Sequence, residues 1–133
     1  MSDNENRKVI IAYWWEKANE SLLSAEREFK ASAFVFAVNR IYYAAFYGVC
    51  AVLLSKGVTF KKHSAVRSSF HSEFIKTGIL SSEWGKYYDQ LFRDRQEGDY
   101  IPLIEFDHSY IKTQLSRCKE FLGVLKPLLD DYI

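Results

Sequence analysis

A chain of 133 residues has room for one domain with a substantial core and too little length for two of ordinary size. Its formal net charge of +1 excludes a general electrostatic pull toward nucleic acid or membrane, so binding of that kind must come from a local patch. The two cysteines, Cys50 and Cys118, sit in apolar helical patterns outside any CxxC pair, which excludes a disulfide framework and a cysteine metal site in favour of reduced, buried thiols.

Residues 1–7 are polar and acidic, with no apolar run behind a basic start. They read as a flexible N-terminus without an ordinary signal peptide, and the chain is expected to be cytoplasmic. Residues 8–31 carry Ile11, Trp15, Ala18, Leu22, Ala25 and Phe29 at alternating four- and three-residue steps, the pattern of an amphipathic helix with one buried stripe. Ser32 is the candidate cap of the next helix. The short break at Ala31-Ser32 favours an antiparallel hairpin.

The stretch from Ala33 to Leu54 is apolar on nearly every face and too long for a strand. Ala37, Ile41, Ala44, Gly48 and Ala51 form a stripe that lets another helix approach, while Phe36, Tyr42, Tyr43, Phe46 and Tyr47 fill the other sides. About 20 apolar residues suffice to cross a bilayer, but Arg40 costs roughly 3 kcal/mol at mid-membrane, so the expectation is a buried helix and no membrane. Asn39 and Arg40 then lie in the most buried helix and need partners there, which makes them structural first and functional second unless Arg40 faces a wet groove.

Gly57 ends this helix. The segment from Lys56 to Arg67 holds Lys56, Lys61, Lys62 and Arg67 and no acid. It reads as a solvated loop or as a phosphate-contacting patch that includes His63. A shorter helix follows over residues 64–77, with Val66, Phe70 and Phe74 on one face and Gly78 as its stop. His63 and His71 lack the close spacing of zinc ligands on a helix, so no metal or other cofactor is expected.

Ser81 or Ser82 caps another helix, on which Trp84, Tyr88, Leu91 and Arg95 share a face while Arg93 takes the polar one. Gly98 is read as its end, with Pro102 beyond. The last helix starts near Asp107 and carries Ile111, Leu115, Cys118, Leu122, Leu125 and Leu129, with a kink or end at Pro127. The sum is an all-α, up-and-down bundle of four long helices plus one short helix, a single domain over residues 8–133. Arg95 on a buried stripe needs an anionic partner, and Asp99, four residues on, supplies one. If Gly98 turns the chain, Asp99 and Tyr100 fold back beside Arg95 as one phosphate- or RNA-binding site.

Asn-Arg-Ile-Tyr-Tyr-Ala-Ala-Phe at 39–46, Gly57, Lys-Lys-His-Ser-Ala-Val at 61–66 and Arg-Gln-Glu-Gly-Asp-Tyr at 95–100, taken in this order, resemble the HEPN domain (higher eukaryotes and prokaryotes nucleotide-binding) over residues 8–130. The resemblance implies a helical bundle, often a homodimer. In many members it implies metal-independent ribonuclease activity from an Arg-x(4–6)-His motif. Many members pair with a minimal nucleotidyltransferase as toxin and antitoxin, and in some pairs the transferase adds nucleotides to the tyrosine of Arg-x4-His-x-Tyr.

Here the register from Arg93 places Gly98 at the histidine and Tyr100 at the tyrosine, and the register from Arg95 meets no histidine at Tyr100, Ile101 or Pro102. Three functions follow as expectations. One is a toxin–antitoxin component with a nucleotidyltransferase partner and a nucleotide or RNA ligand. Another is a non-catalytic nucleotide- or protein-binding module. The third is a ribonuclease with a non-standard catalytic site of Arg95 and Asp99. Arg93, Tyr100, Asn39, Arg40, Lys61, Lys62 and His63 are the candidate binding residues, Tyr100 is also the candidate for modification, and the aromatic content of 17% points with the resemblance to a homodimer.

Overall fold

The computed structural model describes residues 2–133. Helix α1 runs Asp3–Lys30, α2 Phe34–Ser55, α3 His63–Phe70, α4 Ser82–Tyr100 and α5 His108–Leu125. A π-helical turn, His71–Ile75, extends α3, and a 3-10 turn, Lys126–Leu129, follows α5. Among the described residues the ordered elements are all helical, four long helices and one short one, as the hydrophobic periodicity predicts.

Neighbouring long helices alternate in direction. Phe29 packs on Phe34, and Trp14 stacks on Tyr47, so α1 and α2 form an antiparallel hairpin. Tyr42 of α2 meets Tyr88 and Phe92 of α4 while Val35 lies beside Gly98, so α4 runs antiparallel to α2. Tyr87 donates its hydroxyl proton to the Gln114 carbonyl at 2.8 Å and Arg117 pairs with Glu83 at 3.3 Å, which sets α5 antiparallel to α4.

Helix α2 is the centre. Ala37, Ile41, Ala44, Gly48 and Ala51 are all buried, and so are Val38, Tyr42, Ala45, Val49 and Val52 on the adjoining stripe. A Cβ added to Gly48 would fall 2.8 Å from Leu122 Cδ2 and 3.0 Å from Leu125 Cδ1, so the absent side chain is what lets α5 come this close. The helix is long and apolar enough to cross a membrane, and its apolar surface is instead spent on α1, α4 and α5.

Several boundaries differ from the sequence reading. Residues 3–7, expected as a flexible N-terminus, are helical. The Glu5 N–H donates to Ser2 Oγ and the Ser2 N–H donates to the Glu5 carboxylate, each at 3.2 Å, a capping box that starts α1 five residues early. Ser32 does not cap α2. Its backbone is left-handed, with φ 58°, and it closes α1 through N–H donation to the Phe29 carbonyl, leaving Ala33 at the cap position with no side-chain bond. Gly98 does not end α4, whose α-helical ladder continues until the Ile101 N–H bonds the Glu97 carbonyl at 2.9 Å. Asp107 caps α5 and the α-helix stops just before Pro127, both as the sequence indicates.

Candidate functional site

Arg95 is carried inward by the same spacing that buries Trp84, Tyr88 and Leu91. Its side chain is only 13% exposed. The guanidinium carbon lies 4.8 Å from the ring centre of Tyr42 and 6.0 Å from that of Tyr43, a cation held over aromatic faces. Nη1 pairs with Asp99 Oδ2 at 3.5 Å, the expected i, i+4 contact. Nε is buried without a hydrogen-bond partner; among the described residues the only other such side-chain atom is the Tyr88 hydroxyl, also against Tyr42. Because Nε is sealed from solvent, an anion from outside can approach this guanidinium only at its terminal nitrogens, where Asp99 already sits.

Tyr42 links this arginine to a histidine from another helix. Its hydroxyl lies 2.8 Å from His63 Nδ1. The imidazole stacks flat on Phe46, with centroids 4.3 Å apart and planes 9° apart, and presents an edge to Tyr43 at 5.8 Å. Burial, and then the positive charge of Arg95, hold His63 below its ordinary value of 6.5, so the ring is neutral at neutral pH. Burial pushes the Tyr42 phenol up to about 12 against the opposing pull of a nearby tyrosine hydroxyl and Arg95, so Tyr42 remains protonated. His63, at the start of α3, is thus joined to Arg95 of α4 through the Tyr42 side chain.

Asn39 and Arg40 are not buried, which overturns the structural role expected for them. Arg40 is exposed and Asn39 half-buried, and Arg40 Nη1 donates to Asn39 Oδ1 at 3.3 Å. The reason is rotation about α2. Positions 36, 40, 43 and 47 recur at four- and three-residue steps and form its outward face, where Phe36 is 65% exposed. The aromatic side chains on that face disguise it as core. Asn39, Arg40, Tyr43 and Tyr47 line an open cleft of about 480 Å³ with Lys17, Glu20 and Ser21 of α1. Lys61 and Lys62 are exposed just ahead of His63. Tyr43, shared between the cleft, His63 and Arg95, is the residue on which these separate sequence motifs converge.

The expected single site of Arg95, Asp99 and Tyr100 divides in two. Because α4 continues through Gly98, Tyr100 is not turned back toward Arg95; it stands 77% exposed. Two turns earlier on the same helical face is Arg93, also exposed, with Nη2 donating to Gln90 Oε1 at 2.9 Å. The register beginning at Arg93 therefore describes an outer face and that beginning at Arg95 an inner one. His71 is separate from both, its Nε2 2.9 Å from Asp89.

Sequence reasoning left out Tyr42, Tyr43, Phe46 and Tyr88 as members of the site, assigning them to general packing. The adjacent pair Tyr42-Tyr43 beside Asn39-Arg40 held the available signal. Consecutive aromatic residues on a helix face different directions, so one of them must meet the inward Arg95 and the other the outer cleft.

A family model described as the HEPN domain matches residues 11–128. The chain is 44% identical to a protein of Thermotoga maritima named "UPF0332 protein", over 96% of each chain. It is 40% identical to the Methanocaldococcus jannaschii protein named "Putative toxin MJ0142", over 86% of this chain and 78% of that one. A second protein of that organism, "Putative toxin MJ0605", is 33% identical over 73% of this chain and 72% of its own length.

Proposed function

This chain belongs to the HEPN domain family, and we propose that it is a cytoplasmic toxin–antitoxin component, a homodimer that binds RNA at Arg95 and pairs with a minimal nucleotidyltransferase. The names of two relatives support the toxin setting. The observation that carries the pairing is the position of Tyr100, 77% exposed in the last turn of α4 on the face of Arg93. An acceptor oxygen must be reachable from solvent by a second protein's active site, and a neighbouring guanidinium steadies the phosphate that arrives. The tyrosine oxygen attacks the α-phosphorus of a nucleoside triphosphate, a phosphotyrosine ester forms, pyrophosphate leaves, and the phenolic proton passes to a base of the transferase or to water.

Co-expression with a minimal nucleotidyltransferase from the same genome tests this directly. Intact-mass spectrometry should find one or more nucleotide increments on the wild-type chain, peptide mapping should place them on Tyr100, and Tyr100→Phe should remove them without changing the helical circular dichroism spectrum. An unmodified wild-type chain, or increments that persist in Tyr100→Phe, would overturn it.

One contact favours a second reading, RNA cleavage. A neutral His63 anchored by Tyr42 is chemically suited to take the 2′-hydroxyl proton, with Arg95 at the phosphate. Asp99 is occupied as the partner of Arg95. On this reading cleavage is lost in His63→Ala and in Arg95→Ala and survives in Asp99→Asn; the reverse pattern at His63 and Asp99 would make Asp99 the base. Binding without cleavage in every form leaves the non-catalytic module.

A further inference from the structure

The outward face of α2 holds more than Arg40. Tyr47 is stacked on Trp14 of α1, with centroids 5.5 Å apart and planes 15° apart, so its ring is braced. Tyr43 lies 5.7 Å from Tyr47 along the same face and meets His63 and Arg95 at its other end. The Lys17 ammonium rests 5.1 Å from the centre of the Tyr47 ring and 5.3 Å from that of Tyr13, and Arg40 of α2 lines the same cleft. Glu20 is the one acid in the lining. Aromatic rings at successive positions, flanked by cations on flexible stems, match what a single strand of nucleic acid offers: flat bases and a phosphate after each. An A-form duplex hides its base faces and presents no equivalent.

We propose that the cleft between α1 and α2 is a base-stacking subsite for single-stranded RNA, with unpaired bases on Tyr43 and Tyr47 and their phosphates on Lys17 and Arg40, leading the strand to Arg95. The inference rests on the reading of Arg95 as an RNA-binding residue and adds the class of RNA and its path. Lys17 exchanges a weak cation–π contact for a phosphate as the base arrives at Tyr47. Chemistry separates this ligand from an acidic protein segment, which would use Lys17 and Arg40 equally well and have no need of the rings.

The test uses fluorescence anisotropy of labelled 2′-fluoro RNA, which lacks the hydroxyl needed for self-attack, as a single strand and as a duplex of the same sequence. Wild-type protein should prefer the single strand. Tyr47→Leu should weaken single-strand binding about tenfold while Tyr47→Phe, which keeps the ring, should not. Lys17→Ala should lower the slope of log affinity against log salt by about 0.7, one phosphate contact. Thermal melts of each variant separate lost binding from lost fold. No single-strand binding by wild type overturns both the subsite and the RNA reading of Arg95. Single-strand binding that Arg95→Ala weakens, but that Tyr47→Leu leaves unchanged, overturns the subsite alone. Equal binding of duplex, or of a poly-glutamate peptide in competition, also overturns the subsite.

Discussion

The Tyr42 hydroxyl and Nδ1 of His63 lie 2.8 Å apart across 21 residues of sequence, and the same tyrosine ring carries the Arg95 guanidinium on its face. One phenol therefore sets the position of both the His63 imidazole and the Arg95 guanidinium. NMR titration of His63 should give a pKa below 6.5, and Arg95→Gln should raise it without restoring the ordinary value, because burial, the larger cause, remains. The sign for stability follows from the lowered value. The folded state holds His63 neutral, so its contribution is complete above pH 6.5 and is lost as pH falls through the lowered folded-state value. His63→Gln should flatten that part of the stability profile; an unchanged profile would assign the acid sensitivity to other groups.

Two glycines separate packing from helix propensity. Gly48→Ala sets a methyl 2.8 Å from Leu122 and 3.0 Å from Leu125, both buried, and should cost about 1–3 kcal/mol in denaturant melts. At Gly98 the nearest atom to an added Cβ is 3.5 Å away, on Phe106, and the backbone is already helical. Gly98→Ala should therefore be neutral or stabilise by up to about 1 kcal/mol. Strong destabilisation at Gly98 would show that α4 turns there after all.

The periodicity of the chain determined which helices exist, their buried stripes and the inward placement of Arg95, because those follow from side-chain spacing alone. It misplaced residues whose fate depends on a partner. A helix apolar on nearly every face implies that Arg40 lies inside, yet its own face is the one α1 leaves open as a cleft. Gly98 carries a stop signal because glycine often ends helices, whereas the backbone ladder runs on through it to Ile101. His63 joined Arg95 only through tertiary packing, and no spacing within either segment encodes that meeting.

Arg40→Ala should leave the melting temperature within about 2 °C of wild type, as expected for an exposed side chain bonded only to its neighbour Asn39. A large drop would return Arg40 to the core role that the composition of α2 suggests.

Asp94 is buried between α4 and α5, where it accepts from Gln90 Nε2 at 2.8 Å and from the Tyr110 hydroxyl. Gln114 Nε2 in turn donates to that hydroxyl at 3.0 Å. Tyr110→Phe removes a donor from a buried carboxylate and should cost about 1–3 kcal/mol. The loss should be much smaller in an Asp94→Asn background, whose amide has less need of the bond. Equal losses in the two backgrounds would show that Tyr110 acts by packing alone.

Arg93 and Arg95 provide the sharpest test of the proposed function, because two residues so close on one helix lie on different faces. Arg95 is packed on Tyr42 and paired with Asp99, while Arg93 is exposed on the face of Tyr100. Arg95→Ala should weaken RNA binding about tenfold or more and also lower stability, since it empties a space between rings; Arg95→Lys should restore much of the stability and little of the binding, because an ammonium lacks the planar fork. Arg93→Ala should leave stability and RNA binding near wild type and slow nucleotide transfer to Tyr100. The two variants thus exchange phenotypes between an RNA-binding measurement and a mass-spectrometric one. If Arg93→Ala proves the more harmful to RNA binding, the outer face of α4 is the RNA site, and Arg95 serves to hold Tyr42 and Asp99 in place.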